Sequence, residues 1–135
     1  MKKQPPRALA ARILARVEGG ASLTAALDDG LPQAAERDRA LVQELCYGTL
    51  RAWPRLQRIT ASLLRKPLGK KDADVQALIL LGLHQLSAMR IPAHAAVAET
   101  VGAVNALGKG WARGLVNAVL RNFQRQAEEL LAAAD

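Results

Sequence analysis

Aromatic side chains make up only 3% of this chain: Tyr47, Trp53, Trp111 and Phe123 are all it has for stacking against a ring. Cysteine is scarcer still. Cys46 alone cannot form an internal bridge, so a disulfide-stapled fold is excluded and a reducing compartment is compatible. The chain has no cysteine or acidic cluster at ligand spacing around its two histidines, His84 and His94, which predicts no metal centre. His84 reads as a packed core residue, His94 as a helix entrance, and Cys46 as a small buried hydrophobe. Long apolar runs are missing too: the longest, Ala77 to Leu83, falls far short of the ~20 residues that a membrane span needs. The opening Met1-Lys2-Lys3-Gln4-Pro5-Pro6 has the charge of a leader peptide, but Arg12 and Arg16 interrupt the apolar segment that would have to follow. These absences predict a soluble, cytoplasmic protein without membrane contact. No glycine-rich strand-to-helix turn, phosphate loop or Ser/His/Asp set is present, so no catalytic residue and no cofactor are expected in this chain.

One further absence points somewhere. Between Glu44 and Asp72 there is no carboxylate at all, while Arg51, Arg55, Arg58, Arg65, Lys66, Lys70 and Lys71 fall inside that window. The excess is regional: residues 1–71 hold fourteen Lys or Arg against six acids, and residues 72–135 hold five against six, which together give the net +7. One-sided charge adds nothing to a core, so a polyanionic partner is expected, RNA first. Lys2, Lys3, Arg7 and Arg12 form a second basic cluster at the start of the chain. Within the acid-free window Trp53 is the aromatic available as a stacking platform, with helix packing as its other role.

The apolar residues recur at helical spacing, and the alternation of a strand is absent, so the fold class is all-α. A first helix opens near Pro6, carries Leu9, Ile13 and Val17 on one face, and ends at Gly19-Gly20. Ser22 can cap a short second helix through Leu27, and Asp29-Gly30 with Pro32 forms the next break. A third helix is expected over Ala35 to Leu50, and Pro54 begins or kinks a fourth with Leu56, Ile59 and Leu63 inward. Residues 65–71 read as a flexible loop. The fifth helix, Asp72 to about Met89, is apolar round most of its circumference and is therefore the buried centre. Gly82 inside it implies a close approach by another element, and Gly48 does the same between the third and fifth helices. A sixth helix spans about Ala95 to Leu107, and a seventh runs from Trp111 to about Leu131. At 135 residues, one domain with a core of its own is the expectation.

Three segments go beyond periodicity: Leu41 to Arg51 (Leu-Val-Gln-Glu-Leu-Cys-Tyr-Gly-Thr-Leu-Arg), Arg90 to Val101 (Arg-Ile-Pro-Ala-His-Ala-Ala-Val-Ala-Glu-Thr-Val) and Gly114 to Arg121 (Gly-Leu-Val-Asn-Ala-Val-Leu-Arg). In this order they resemble the N-terminal, NusB-like domain of the ribosomal RNA small-subunit methyltransferase B family, also called Sun or Fmu. The resemblance implies about seven helices around a buried central helix, with residues 1–135 forming a single NusB-like RNA-binding domain. It implies partnership with ribosomal RNA and with a C-terminal methyltransferase domain, which uses S-adenosylmethionine to methylate C5 of a cytosine in 16S ribosomal RNA. That catalytic domain is absent here, and Cys46, preceded by Leu45, matches neither of its Pro-Cys and Thr-Cys motifs. NusB-like proteins are similar in using a basic N-terminal region for RNA, so the two cationic clusters are expected to form one surface. Two alternatives stay open: a stand-alone NusB-type antitermination factor binding RNA with a ribosomal protein, and a structural docking module.

Overall fold

Proline opens the first helix and glycine closes it. Pro5 and Pro6 sit at the entry of α1 (Pro6–Glu18), and Gly20 adopts φ 114°, a left-handed turn that only glycine takes without strain. Ser22 then accepts a hydrogen bond from the Ala25 N–H at 3.1 Å and caps α2 (Leu23–Gly30). The helix runs past Leu27: Gly30 is its last residue and keeps right-handed helical backbone. A β-carbon there would come within 2.7 Å of Ile13, so the glycine serves the packing of α2 on α1. Short 3-10 turns at Leu31–Gln33 and Glu36–Asp38 lead into α3 (Arg39–Arg51), where a single α-helix from Ala35 was expected. Then come α4 (Trp53–Leu63), a 3-10 turn at Lys70–Asp72, α5 (Ala73–Ala88), α6 (Ala93–Ala106), a 3-10 turn at Gly110–Ala112, and α7 (Arg113–Ala134). This computed structural model describes residues 2–135, and its seven α-helices bear out the all-α class; Met1 lies outside the described residues.

The α5 helix is the axle of the bundle. Val75 and Ala77 to Gln85 are all buried, and α1, α3, α4, α6 and α7 pack around them. Burying each of its leucine and isoleucine side chains contributes roughly 1.5–3 kcal/mol before chain entropy is set against it. On one side α1, α2 and α3 form a group; on the other α7 packs against both α4 and α6. Two further glycines allow close approach between α5 and its neighbours. A β-carbon on Gly82 would meet Leu120 at 2.8 Å and Thr100 at 3.1 Å, so α6 and α7 close over that point of α5. Gly82→Leu is therefore expected to destabilise by about 1–3 kcal/mol through overpacking, read as a lower melting temperature. At Gly48 of α3 the space belongs to the imidazole of His84, whose Nε2 would lie 2.1 Å from a β-carbon.

A polar network crosses the centre. Gln85 donates to Leu81 O at 3.2 Å and to Thr100 Oγ1 at 2.8 Å, and accepts from Arg7 Nε at 2.9 Å. Arg7 is thus a core residue, which corrects its assignment as an RNA contact. Its spacing to Ala10, Ala11 and Leu14 sets it on the face of α1 that turns inward. Burial lowers the basicity of its guanidinium, and the charges of Glu99 and Asp38 offset part of that. His84 and Cys46 are buried as expected. Burial holds the histidine below its usual pKa, with Glu44 at 3.7 Å, too far for a direct hydrogen bond. It also pushes the Cys46 thiol up to about 12, so the sulfur is an inert packing group.

Candidate nucleic-acid interface

A cationic surface needs cations that the fold does not already use. Backbone carbonyls take up several of the arginines here; at the end of α6 the last carbonyls lack intrahelical donors and carry partial negative charge. Arg12 donates to Ala106 O at 2.6 Å and closes the end of α6. Arg55 reaches Leu131 O at 3.3 Å and the Asp135 carboxylate at 2.8 Å, while Arg58 donates to Ala134 O at 2.8 Å. Both guanidinium groups thus lie against residues 131–135. Arg12, Arg55 and Arg58 were expected to face RNA; their guanidinium groups are instead bound to backbone carbonyls of their own chain. The cause lies in tertiary packing, since α4 runs beside the last turns of α7 and Arg12 lies beside the last turn of α6.

Four cations stay exposed on one segment. Leu64 leaves α4 in extended conformation, and the chain runs to the 3-10 turn at Lys70–Asp72 with Arg65, Lys66, Lys70 and Lys71 outward. The segment is anchored, which corrects the expectation of a flexible loop. Leu64 and Leu68 pack against the core, and buried Asp72 accepts from Lys109 Nζ at 2.8 Å. Lys109 also donates to Asp74 at 3.2 Å and to Lys71 O at 2.8 Å, tying the turn to the end of α6. These bonds, that to Asp72 foremost, raise the basicity of Lys109. The segment forms a ridge between two clefts. One, of about 350 Å³, runs along Glu18, Gln57 and Gln76; the other, of about 560 Å³, has Leu115, Ala118 and Asn122 of α7 as its far wall.

The N-terminal cluster lies elsewhere. Lys2 and Lys3 are exposed ahead of α1, and Lys3 donates to Pro32 O at 2.8 Å. The basic ridge meets the opposite end of that helix, where Glu18 shares a cleft with Arg65 and Lys70. The rise of α1, roughly 18 Å from Pro6 to Glu18, separates the two clusters, so the expected single surface is two surfaces. Arg51 is exposed on α3, with its Nε 3.5 Å from Tyr47 O.

The aromatics also distribute differently from the expectation. Trp53 packs against the core at the start of α4, whereas Trp111 is 59% exposed and Tyr47 48% exposed. Trp111 stands in the turn that leads into α7, two residues from the lysine that holds the basic 3-10 turn. Sequence position gave no hint of this, because Trp111 falls in the half of the chain with near-neutral charge. Among the described residues no helix is long and apolar enough to cross a membrane.

The chain is an all-helical bundle wound round one buried helix, with four exposed cations on the segment between α4 and α5. The NusB family pattern matches residues 4–125, and the chain belongs to the NusB family. It is 56% identical over 131 residues to the ribosomal RNA small subunit methyltransferase B of Pseudomonas putida, a match covering 96% of this chain and 30% of that protein. It is 53% identical over 129 residues to the protein of the same name from Vibrio cholerae, covering 95% of this chain and 30% of the relative. The chain thus spans about 30% of the length of the curated relatives it matches.

Proposed function

We propose that this chain is the RNA-engaging, non-catalytic domain of a ribosomal RNA methyltransferase, and that it holds small-subunit ribosomal RNA for a C-terminal domain that methylates cytosine C5 with S-adenosylmethionine. The observation that carries the reading is the ridge of Arg65, Lys66, Lys70 and Lys71, exposed and without a carboxylate partner among the described residues, beside a 560 Å³ cleft, with the exposed Trp111 two residues from the Lys109 that holds the Lys70–Asp72 turn. Cations on an anchored turn can meet phosphates with little loss of chain entropy, and an exposed indole can stack on an unpaired base. The names of the relatives favour a methyltransferase over an antitermination factor. S-adenosylmethionine belongs, in this reading, to the domain that the relatives have beyond the matched third.

Binding to single-stranded ribosomal RNA fragments is expected to be weak and steeply salt-dependent. With four or five phosphates neutralised, log K should fall against log salt with a slope of about −3. Fluorescence anisotropy across a salt series reads this directly. A flat response would remove the ridge as a phosphate-binding surface and leave a docking role.

A further inference from the structure

A second cleft lies on the other flank of α7. His94, at the entrance of α6, faces Arg113, Asn117 and Arg121 across a gap of about 460 Å³ floored by Val97 and Val101. Two of the three sequence motifs therefore meet in space: His94, Val97 and Val101 come from one, Asn117 and Arg121 from another. Arg113, Asn117 and Arg121 follow one another at intervals of four, so they line one face of the helix over about 12 Å. No carboxylate lines this cleft, and among the described residues neither arginine makes a salt bridge or a side-chain hydrogen bond. This differs from Arg12, Arg55 and Arg58, which the fold employs.

The two clefts beside α7 share a wall. Leu115, Ala118 and Asn122 face the basic ridge, while Arg113, Asn117 and Arg121 face the second cleft. Between them the exposed crest of the helix carries Gly114 and Ala118, with open space where a Gly114 side chain would stand. A strand could cross there without meeting a bulky side chain. Arg125, one turn beyond Arg121, is exposed and bonded to Asn122, which adds positive charge along the same crest.

We infer that the cleft of His94, Arg113, Asn117 and Arg121 is a second phosphate-binding site, which takes the single-stranded RNA that leaves the Arg65–Lys71 ridge and crosses α7 at Gly114 and Ala118. The inference rests on the RNA-binding reading and extends it to a particular path. Arg113 and Arg121 hold phosphates by charge, with Asn117 between them as a donor to phosphate or sugar. The apolar floor of Val97 and Val101 lets a base lie against the cleft without leaving a buried carboxylate to repel the backbone.

The test compares the parent with R113Q/R121Q on an unstructured RNA of about twelve nucleotides, long enough to track a groove on a single module. Neither arginine takes part in folding contacts, so circular dichroism and the melting temperature should match the parent. Affinity is expected to fall about tenfold, and the salt slope to become shallower by roughly 1.4, the share of two phosphates. Unchanged affinity and slope, with ridge reversals still weakening binding, would overturn the second site alone and give the cleft to a protein surface instead. If the parent binds no RNA at all, the functional reading beneath it fails as well.

Discussion

Replacing Gly48 by leucine is expected to lower the unfolding free energy by about 3 kcal/mol or more and the melting temperature by roughly 10 °C. The His84 ring occupies the place of the missing side chain, with Nε2 2.1 Å from the position that a β-carbon would take. The ring is itself buried between α3 and α5 and cannot swing into solvent without opening that contact. Even alanine must displace it. An alanine would gain about 1 kcal/mol of helix propensity, yet overpacking costs about 1–3 kcal/mol, so the steric effect wins. His84→Ala in the same chain removes the obstacle, and Gly48→Ala should then be close to neutral or stabilising. A double-mutant cycle by thermal or urea unfolding measures the coupling, and a coupling near zero would mean that the ring does not fill the notch.

Reversing Lys66, Lys70 and Lys71 to glutamate is expected to weaken RNA binding at least tenfold, about 1.4 kcal/mol or more, while leaving helicity unchanged. All three are exposed, and the contacts that anchor their segment come from Leu64, Leu68 and Asp72. The variant therefore changes the sign of the ridge without removing what holds it. Equal binding by parent and variant at low salt would exclude the ridge and move attention to Lys2, Lys3 and Arg51.

The parts of the fold that the sequence announces are those governed by local chemistry. The Pro5-Pro6 entry, the Ser22 cap, the Pro92 start of α6 and the all-round apolar α5 each follow from residues that act within a turn or two of themselves. Gly48 and Gly82 were legible as close approaches, since a glycine inside a helix lowers its stability unless something needs the room. The candidate site was legible only in part. Counting charge along the chain finds Arg65, Lys66, Lys70 and Lys71, but it cannot separate them from Arg12, Arg55 and Arg58, whose carbonyl partners lie 76 to 94 residues away. Arg7 did carry a local signal, its heptad spacing to Ala10, Ala11 and Leu14, which outweighs its charge. Trp111 and the His94–Arg121 cleft depend on how α6 and α7 meet, and no local pattern reports that.

The central position of α5 has a dynamic consequence. Every other long helix except α2 leans on it, so its middle amides reach water only when the bundle opens as a whole. Deuterium should enter Leu78 to Leu83 at the rate of global unfolding, whereas α2 and the last turns of α7 beyond the non-helical Gln126 should exchange through local fraying. The basic ridge and both flanks of α7 before that bend are thereby fixed to one rigid axle, and a ligand held across them would meet a surface already shaped for it.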